Sequence, residues 1–247
     1  MGQIYTQHFT VSDICVDRYG YVKPSTVLYF AQEAAGQHCV ELGTDYDTLA
    51  EKNLFWAVTR HKVRITRLPR RGETITVETW PMPTTRVAYP RAMAAYDAQG
   101  QLLFQSVSLW VLMDMTARSM VLPGKSGITV DGILRGTELE VPHSLMPKAA
   151  ANCSHRTVTY SCLDRNGHMN NTRYLDWVDD LLSSDFHAAH TPGEFTVCYL
   201  NEAREGQDIR LDWALSEDNI LQVDAHREKP ECPQKQERVF SAQVHYN

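Results

Sequence analysis

The chain lacks any Cys-x-x-Cys pair, any apolar run long enough to cross a bilayer and any excess of positive charge. Each absence removes a class of function. Its six cysteines, at 15, 39, 153, 162, 198 and 232, are scattered without His-rich metal spacing, and no secretory signal peptide precedes them. That pattern fits free thiols in a reducing cytoplasm, not a zinc site or a disulfide framework. The longest apolar run, Val107 to Met113, is interrupted by Ser108 and falls far short of a membrane-spanning helix. With 24 Lys and Arg against 30 Asp and Glu, the net charge is −6. A general nucleic-acid binder needs a basic surface to displace counterions, so that class is disfavoured. What remains, 247 residues with 43% apolar and 22% charged content, describes a soluble globular protein of one large or two small domains.

The order of elements is read from periodicity and turn residues. Ile4 to Val16 alternates as a strand does, Arg18-Tyr19-Gly20 turns, and Pro24-Ser25 opens an alanine-rich helical segment from Val27 to Leu42. A short polar piece, Tyr46 to Glu51, leads into strand-like tracts at Leu54–Leu68, Glu73–Trp80, Arg86–Tyr96 and Leu102–Met115. Pro69-Arg70-Arg71-Gly72 and Asp97-Ala98-Gln99-Gly100 have the composition of hairpin connections. From Pro123 to Ala151, glycines and prolines break every period, which suggests an interdomain connection. After it come a strand at His155–Leu163, a helix from Thr172 to about Phe186, and strands near Phe195–Ala203, Ile209–Leu215, Leu221–His226 and Val239–Tyr246.

The second half repeats the first. Cys15-Val16-Asp17-Arg18-Tyr19-Gly20 lies in register with Cys162-Leu163-Asp164-Arg165-Asn166-Gly167, and Arg71 to Val77 resembles Glu205 to Leu211. The matching element order makes this an internal duplication. Asn166 and His168 of the second copy face Tyr19 and Tyr21 of the first. Asp17, Arg18, Asp164 and Arg165 occur in both copies, so for them a shared architectural role at the turn stands beside a chemical one.

The stretch from Asp164 to Trp177 concentrates the chemistry. Asp164, Asn166 and His168 alternate, and on an extended backbone they would share one side. Asn-Gly followed by polar residues is also a common turn signature. Asn170, Asn171 and Thr172 then supply helix-capping residue types, followed by Tyr174, Leu175, Val178, Leu181 and Leu182 at helical spacing. The N–H groups of that helix start would sit ready for an oxyanion.

These residues resemble the acyl-acyl-carrier-protein (acyl-ACP) thioesterases, a family built from two hotdog domains in tandem. The family pattern Asp-x-Asn-x-His-x-Asn-Asn-x-x-Tyr is matched by Asp164, Asn166, His168, Asn170, Asn171 and Tyr174, with Trp177 also fitting. The resemblance covers nearly the whole chain. It implies an α+β fold of two tandem hotdog domains, each a long helix wrapped by a curved antiparallel sheet. Residues 1–122 would form a degenerate N-terminal copy holding the acyl chain, 123–151 the linker, and 152–247 the catalytic copy. The implied partner is an acyl carrier protein bearing a phosphopantetheine-linked acyl chain, with no nucleic acid, no membrane span and no metal or organic cofactor. A monomer or a homodimer both fit.

The resemblance also implies an acidic residue on the strand after the active helix, and Glu202 falls there. Many relatives place Cys next, where this chain has Ala203; Cys198 is five positions away. A cysteine nucleophile is therefore disfavoured and hydrolysis by activated water preferred. The expected catalytic set is Asp164, Asn166, His168 and Glu202, with Glu202 as general base and Glu205 its neighbouring competitor. A positioned base contributes about 10²–10⁴-fold and one oxyanion donor about 10²–10³-fold, without a cofactor. Phe55, Trp56, Trp80 and Trp110 are candidates for an apolar acyl tunnel. Arg60, Lys62, Arg64, Arg67, Arg70 and Arg71 form the densest basic run, which could meet an acidic carrier protein or protect an exposed edge. Acyl-CoA hydrolysis and non-catalytic acyl binding by the same fold are the alternatives.

Overall fold

A computed structural model describes residues 4–229 and 232–247, and the side chains of all of these except 229 and 232–234. Cys232 thus lies outside the described side chains. Packing divides the chain into two units, Met1–Pro142 and His143–Asn247.

The first unit contains strand β1 (Tyr5–Thr10), helix α1 (Pro24–Glu41), helix α2 (Tyr46–Ala50), strands β2 (Leu54–Ile65), β3 (Thr74–Pro81), β4 (Tyr89–Tyr96), β5 (Leu102–Asp114) and β6 (Met120–Val121), and helix α3 (Pro123–Ser126). Pro24 occupies the first turn of α1, where a missing N–H breaks no helical bond. Ala31, Ala34 and Ala35 are buried along α1, their small side chains allowing close approach to the sheet. The sheet runs β1-β3-β4-β5-β2, antiparallel throughout, with β6 also on β5. Phe9 packs on Phe30 of α1 at 4.7 Å between ring centroids, which fixes the helix-facing side. Alternation along each strand then puts Trp80, Ala92, Ala94 and Val107 on the opposite face, where Ile133 and Leu139 cover them.

The second unit contains β7 (Asn152–Thr157), α4 (Arg173–Asp179), α5 (Ser184–Ala189), β8 (Pro192–Tyr199), β9 (Asp208–Leu215), β10 (Ile220–Lys229) and β11 (Cys232–Tyr246). Its strand order, β7-β9-β10-β11-β8, reproduces that of the first unit. So does its register. Tyr5 pairs with Thr79 as Asn152 pairs with Trp213, offsets of 147 (152 − 5) and 134 (213 − 79). The 13-residue difference (147 − 134) falls in the helical stretch between these strands, which is shorter in the second copy.

Four sequence expectations are corrected here. Pro69 to Gly72 is no hairpin, because β2 pairs with β5 whereas β3 pairs with β1 and β4. Residues 66–73 instead cross the sheet, held by N–H groups of Thr66 and Arg67 on the Leu103 carbonyl and by burial of Leu68. The strand expected over His155–Leu163 stops at Thr157 and gives way to a 3₁₀ turn at Tyr160–Cys162, as β1 gives way to one at Asp13–Cys15. The helix expected from Thr172 to Phe186 is two helices. Leu181 and Leu182 donate to carbonyls three residues back, and the Ser183 side chain accepts the Phe186 N–H at 3.2 Å, starting α5 afresh. Finally, Trp80 is not an acyl-tunnel wall on the helix side; it lies under Leu139 and donates to Glu138 at 2.9 Å.

The stretch 123–151 packs in two parts. Ile128 joins Leu49, Leu54, Tyr89 and Leu112, and Glu140 bonds Lys62 at 2.7 Å in the first unit. The carbonyls of Leu145 and Met146 accept from Arg238 and Gln222, each at 3.3 Å, in the second.

Candidate active site

The site grows from a turn that both units build identically. The Asp164 N–H donates to the His168 carbonyl at 2.8 Å and the Gly167 N–H to the Asp164 carbonyl at 3.0 Å. One Asp164 carboxylate oxygen accepts the N–H groups of Asn166 (2.8 Å) and His168 (3.4 Å). In the first unit Asp17 does the same for Tyr19 (2.8 Å) and Tyr21 (3.0 Å). Gly20 and Gly167 take φ of +80° and +73°, the left-handed region that glycine enters at least cost. The backbone is therefore curled, and Asp164, Asn166 and His168 do not line one side of an extended segment. Asp164 holds main chain in a unit with the Asn and His and, as Asp17, in a unit without them.

A crossing segment then meets the turn. The Met169 N–H donates to the Ala203 carbonyl at 2.8 Å, as the Val22 N–H does to the Pro69 carbonyl at 2.9 Å. Ala203 thus corresponds to Pro69, and Glu202 to Leu68. In the second unit this contact brings His168 Nε2 within 3.1 Å of Glu202 Oε2, with an Arg204 nitrogen 3.6 Å from the same oxygen. The His168 side chain is 11% exposed and that of Glu202 36%, so the pair sits at the edge of the protein interior. The first unit has Tyr21 and buried Leu68 at these positions, and Arg70 lies over the Tyr21 ring at 4.4 Å. Only the second copy carries an imidazole facing a carboxylate here.

Neighbouring groups hold that arrangement. Tyr174 is buried, and burial raises its hydroxyl pKa despite an opposing backbone hydrogen bond with Ala203. The Tyr199 hydroxyl donates to the Asn171 carbonyl at 2.9 Å, and burial raises its pKa as well. Ala203 is fully buried, and Cys198, also buried, directs its Sγ to the His143 carbonyl at 3.6 Å. Neither supplies a thiol beside His168.

Two N–H groups at the helix start are engaged within the turn: the Thr172 N–H on Asn170 Oδ1 and the Arg173 N–H on the Asn170 carbonyl, both at 3.0 Å. The basic run is also largely committed. Lys62 pairs with Glu140, Arg67 with Glu73 at 2.8 Å, Arg71 with Asp13, Arg60 with the Pro142 carbonyl at 3.3 Å, and Arg70 with Tyr21. Carboxylates thus face Lys62, Arg67 and Arg71, whereas Arg60 and Arg70 are held by a carbonyl and a phenol that leave their charges in place. Among the described residues, no group of three or more His, Cys, Asp or Glu has the geometry to hold a metal.

Residues 2–122 match the family model for the acyl-ACP thioesterase N-terminal domain, and residues 146–239 match that for the C-terminal domain. The chain belongs to the acyl-ACP thioesterase family. Similar proteins include a chloroplastic palmitoyl-acyl carrier protein thioesterase of Gossypium hirsutum, 24% identical over 88% of this chain and 56% of the relative. A chloroplastic dodecanoyl-[acyl-carrier-protein] hydrolase of Cinnamomum camphora is 28% identical over 71% of this chain and 50% of the relative. This acyl-ACP thioesterase family member thus spans about half the length of these curated relatives. Its fold is shared with an acyl-ACP thioesterase from Bacteroides thetaiotaomicron, TM-score 0.85 at 22% identity, covering 99% of this chain and 98% of the other. A 12:0-ACP thioesterase from Umbellularia californica gives 0.83 at 22% identity, covering 100% and 98%. The α+β architecture of two tandem hotdog domains follows from these matches, with the long helix of the first copy shortened and broken in the second.

Proposed function

We propose that this chain hydrolyses the thioester of fatty acyl-ACP, releasing the fatty acid and the carrier protein. The observation that carries the reading is the 3.1 Å contact between His168 and Glu202, made in one copy of a duplicated backbone and replaced by Tyr21 and Leu68 in the other. Family membership supplies the substrate class.

In this reading Glu202 removes a proton from water as its oxygen attacks the thioester carbonyl carbon. A carboxylate has about four acceptor sites, so the hydrogen bond from His168 leaves it able to receive that proton. Asn166 polarises the carbonyl and stabilises the tetrahedral oxyanion through its side-chain N–H groups, while His168, whose one neutral N–H is spent on Glu202, orients that carboxylate and the attacking water. Collapse breaks the C–S bond, and the protonated Glu202 returns its proton to the departing pantetheine sulfur. Asp164 sets the turn that presents Asn166 and His168. The first unit, without these groups, holds the acyl chain.

The test is product analysis with a panel of acyl-ACP and acyl-CoA substrates of varied chain length. Free fatty acid released from acyl-ACP supports the reading, and hydrolysis confined to acyl-CoA would transfer the activity to the other carrier. Cytoplasmic placement belongs to the same proposal and is measured by cell fractionation, the plant relatives named above being chloroplastic. Operation as a monomer or homodimer is measured by sedimentation.

A further inference from the structure

We infer that Arg227 is a positioning residue for Glu202, acting on the main chain from which that carboxylate extends. The inference rests on Glu202 being the base. Arg227 lies on β10, and its guanidinium binds three groups at once. Its Nε and Nη2 reach Glu237 Oε1 at 2.7 Å, while Nη1 donates to the Glu202 carbonyl and to Gln207 Oε1, each at 2.5 Å. Gln207 Oε1 also accepts the Arg204 N–H at 2.9 Å. The segment from Glu202 to Arg204 is therefore held at the Glu202 carbonyl, at both backbone groups of Ala203 and at the Arg204 N–H. The Arg227 and Glu237 side chains are 13% and 18% exposed, so their charge-assisted bonds are little screened.

The other copy shows what is specific to this arrangement. His226 pairs with Arg210 as Tyr96 pairs with Thr76, which makes Asp97 the counterpart of Arg227. By the 134 offset, Glu73 is the counterpart of Gln207 and Arg67 that of Asn201. The first unit thus has its cation on the crossing segment, Arg67, bonded to Glu73 and facing Asp97 at 3.5 Å. In the second unit the sheet position is cationic where the first has Asp97, and the crossing-segment counterparts of Arg67 and Glu73 are the neutral Asn201 and Gln207. The carbonyl opposite Arg227 belongs to Glu202; the equivalent carbonyl in the first unit, that of Leu68, accepts a long 3.5 Å bond from Arg67. The strong anchor occurs where the residue it fixes is a carboxylate.

Displacing a catalytic group by about 1 Å can cost about 10²-fold in rate. Arg227→Lys keeps the charge but loses the fork that reaches Glu237 and the Glu202 carbonyl together. In the full chain, Arg227→Lys is expected to lower kcat for acyl-ACP hydrolysis by about 10- to 100-fold, with KM changed by less than about threefold. The deciding measurement is the double-mutant cycle with Glu202→Gln. A residue that acts through Glu202 has nothing further to remove once that carboxylate is gone, so Arg227→Lys should leave the residual rate of Glu202→Gln unchanged. An unaltered kcat in Arg227→Lys overturns the inference, as does an equal loss in both backgrounds, which would mark a general effect on the fold. Wild-type activity in Glu202→Gln alone would remove the base assignment itself, an outcome visible without any Arg227 variant. If Arg227→Lys does not fold, Arg227→Met with Glu237→Leu removes both charges together and strands neither, and the same criteria apply.

Discussion

Lowering the pH from 7 to 4.5 should weaken the first unit through one side chain. His61 on β2 is 3% exposed; its Nε2 lies 3.1 Å from the Ser106 hydroxyl and its Nδ1 is buried without a hydrogen-bond partner. Burial lowers its pKa from 6.5 to about 3. The folded state therefore keeps the imidazole neutral while the unfolded chain takes up a proton as the pH falls below 6.5. A depressed histidine pKa places full stability above 6.5 and loses it progressively toward 3. At about 1.36 kcal/mol per pH unit, the loss between pH 7 and 4.5 is about 2.5 kcal/mol. The second copy supplies the control. The matching register, Val63 with Ser106 and Val197 with Ala242, places Phe195 and Ala242 where the first unit has His61 and Ser106. In His61→Phe with Ser106→Ala, that share of the acid sensitivity should vanish, carboxylate contributions being common to both proteins. Urea denaturation of wild type and double variant at the two pH values measures it. Equal pH dependence in the two proteins, within about 0.5 kcal/mol, would refute a neutral buried His61.

Asn166→Ala, His168→Ala and Glu202→Gln should each reduce acyl-ACP hydrolysis by about 10²–10³-fold with folding retained, whereas Tyr21→Ala should leave kcat largely intact; stopped-time product assays and circular dichroism distinguish these. Gly167→Ala and Gly20→Ala should each destabilise by about 1–2 kcal/mol, because an added Cβ meets no atom within 4 Å at either site and the cost is that of positive φ alone. Only the Gly167 variant should also lose activity. Leu139→Ala should cost about 2–5 kcal/mol by opening a cavity beside Trp80, measured by chemical denaturation, and an unchanged midpoint would show that the segment does not cover that face.

Much of the architecture was legible because periodicity and turn residues are local. The alanine-rich α1, the strand tracts and the Asp-x-x-Gly turn all lie where their residue types favour them, and Asn166 and His168 stood out against Tyr19 and Tyr21. Strand pairing is not local. The Pro69–Gly72 composition suits a hairpin, and only β2 pairing with β5 shows that residues 66–73 cross the sheet. The capping role of Ser183 is hidden in the sequence by a helical period that Leu181 and Leu182 continue. The carboxylate facing Lys62 is not local either, because Glu140 lies 78 residues away in the chain. Arg227 carried no signal at all: its partners sit on a neighbouring strand and a distant crossing segment, and an arginine is ordinarily solvent-facing.

The duplicated turn separates scaffold from chemistry. Its carboxylate, its glycine and its main-chain bonds are spent identically in both halves, so they place no demand on which side chains occupy the second and fourth positions after the aspartate. Scaffold conservation and reactivity can therefore drift independently. The first half already presents, at Tyr21 and Leu68, the two backbone positions from which its twin extends an imidazole and a carboxylate. The two copies differ there by side-chain identity on a common frame, so transplanting the pair is a question of substitution, with no new loop to build.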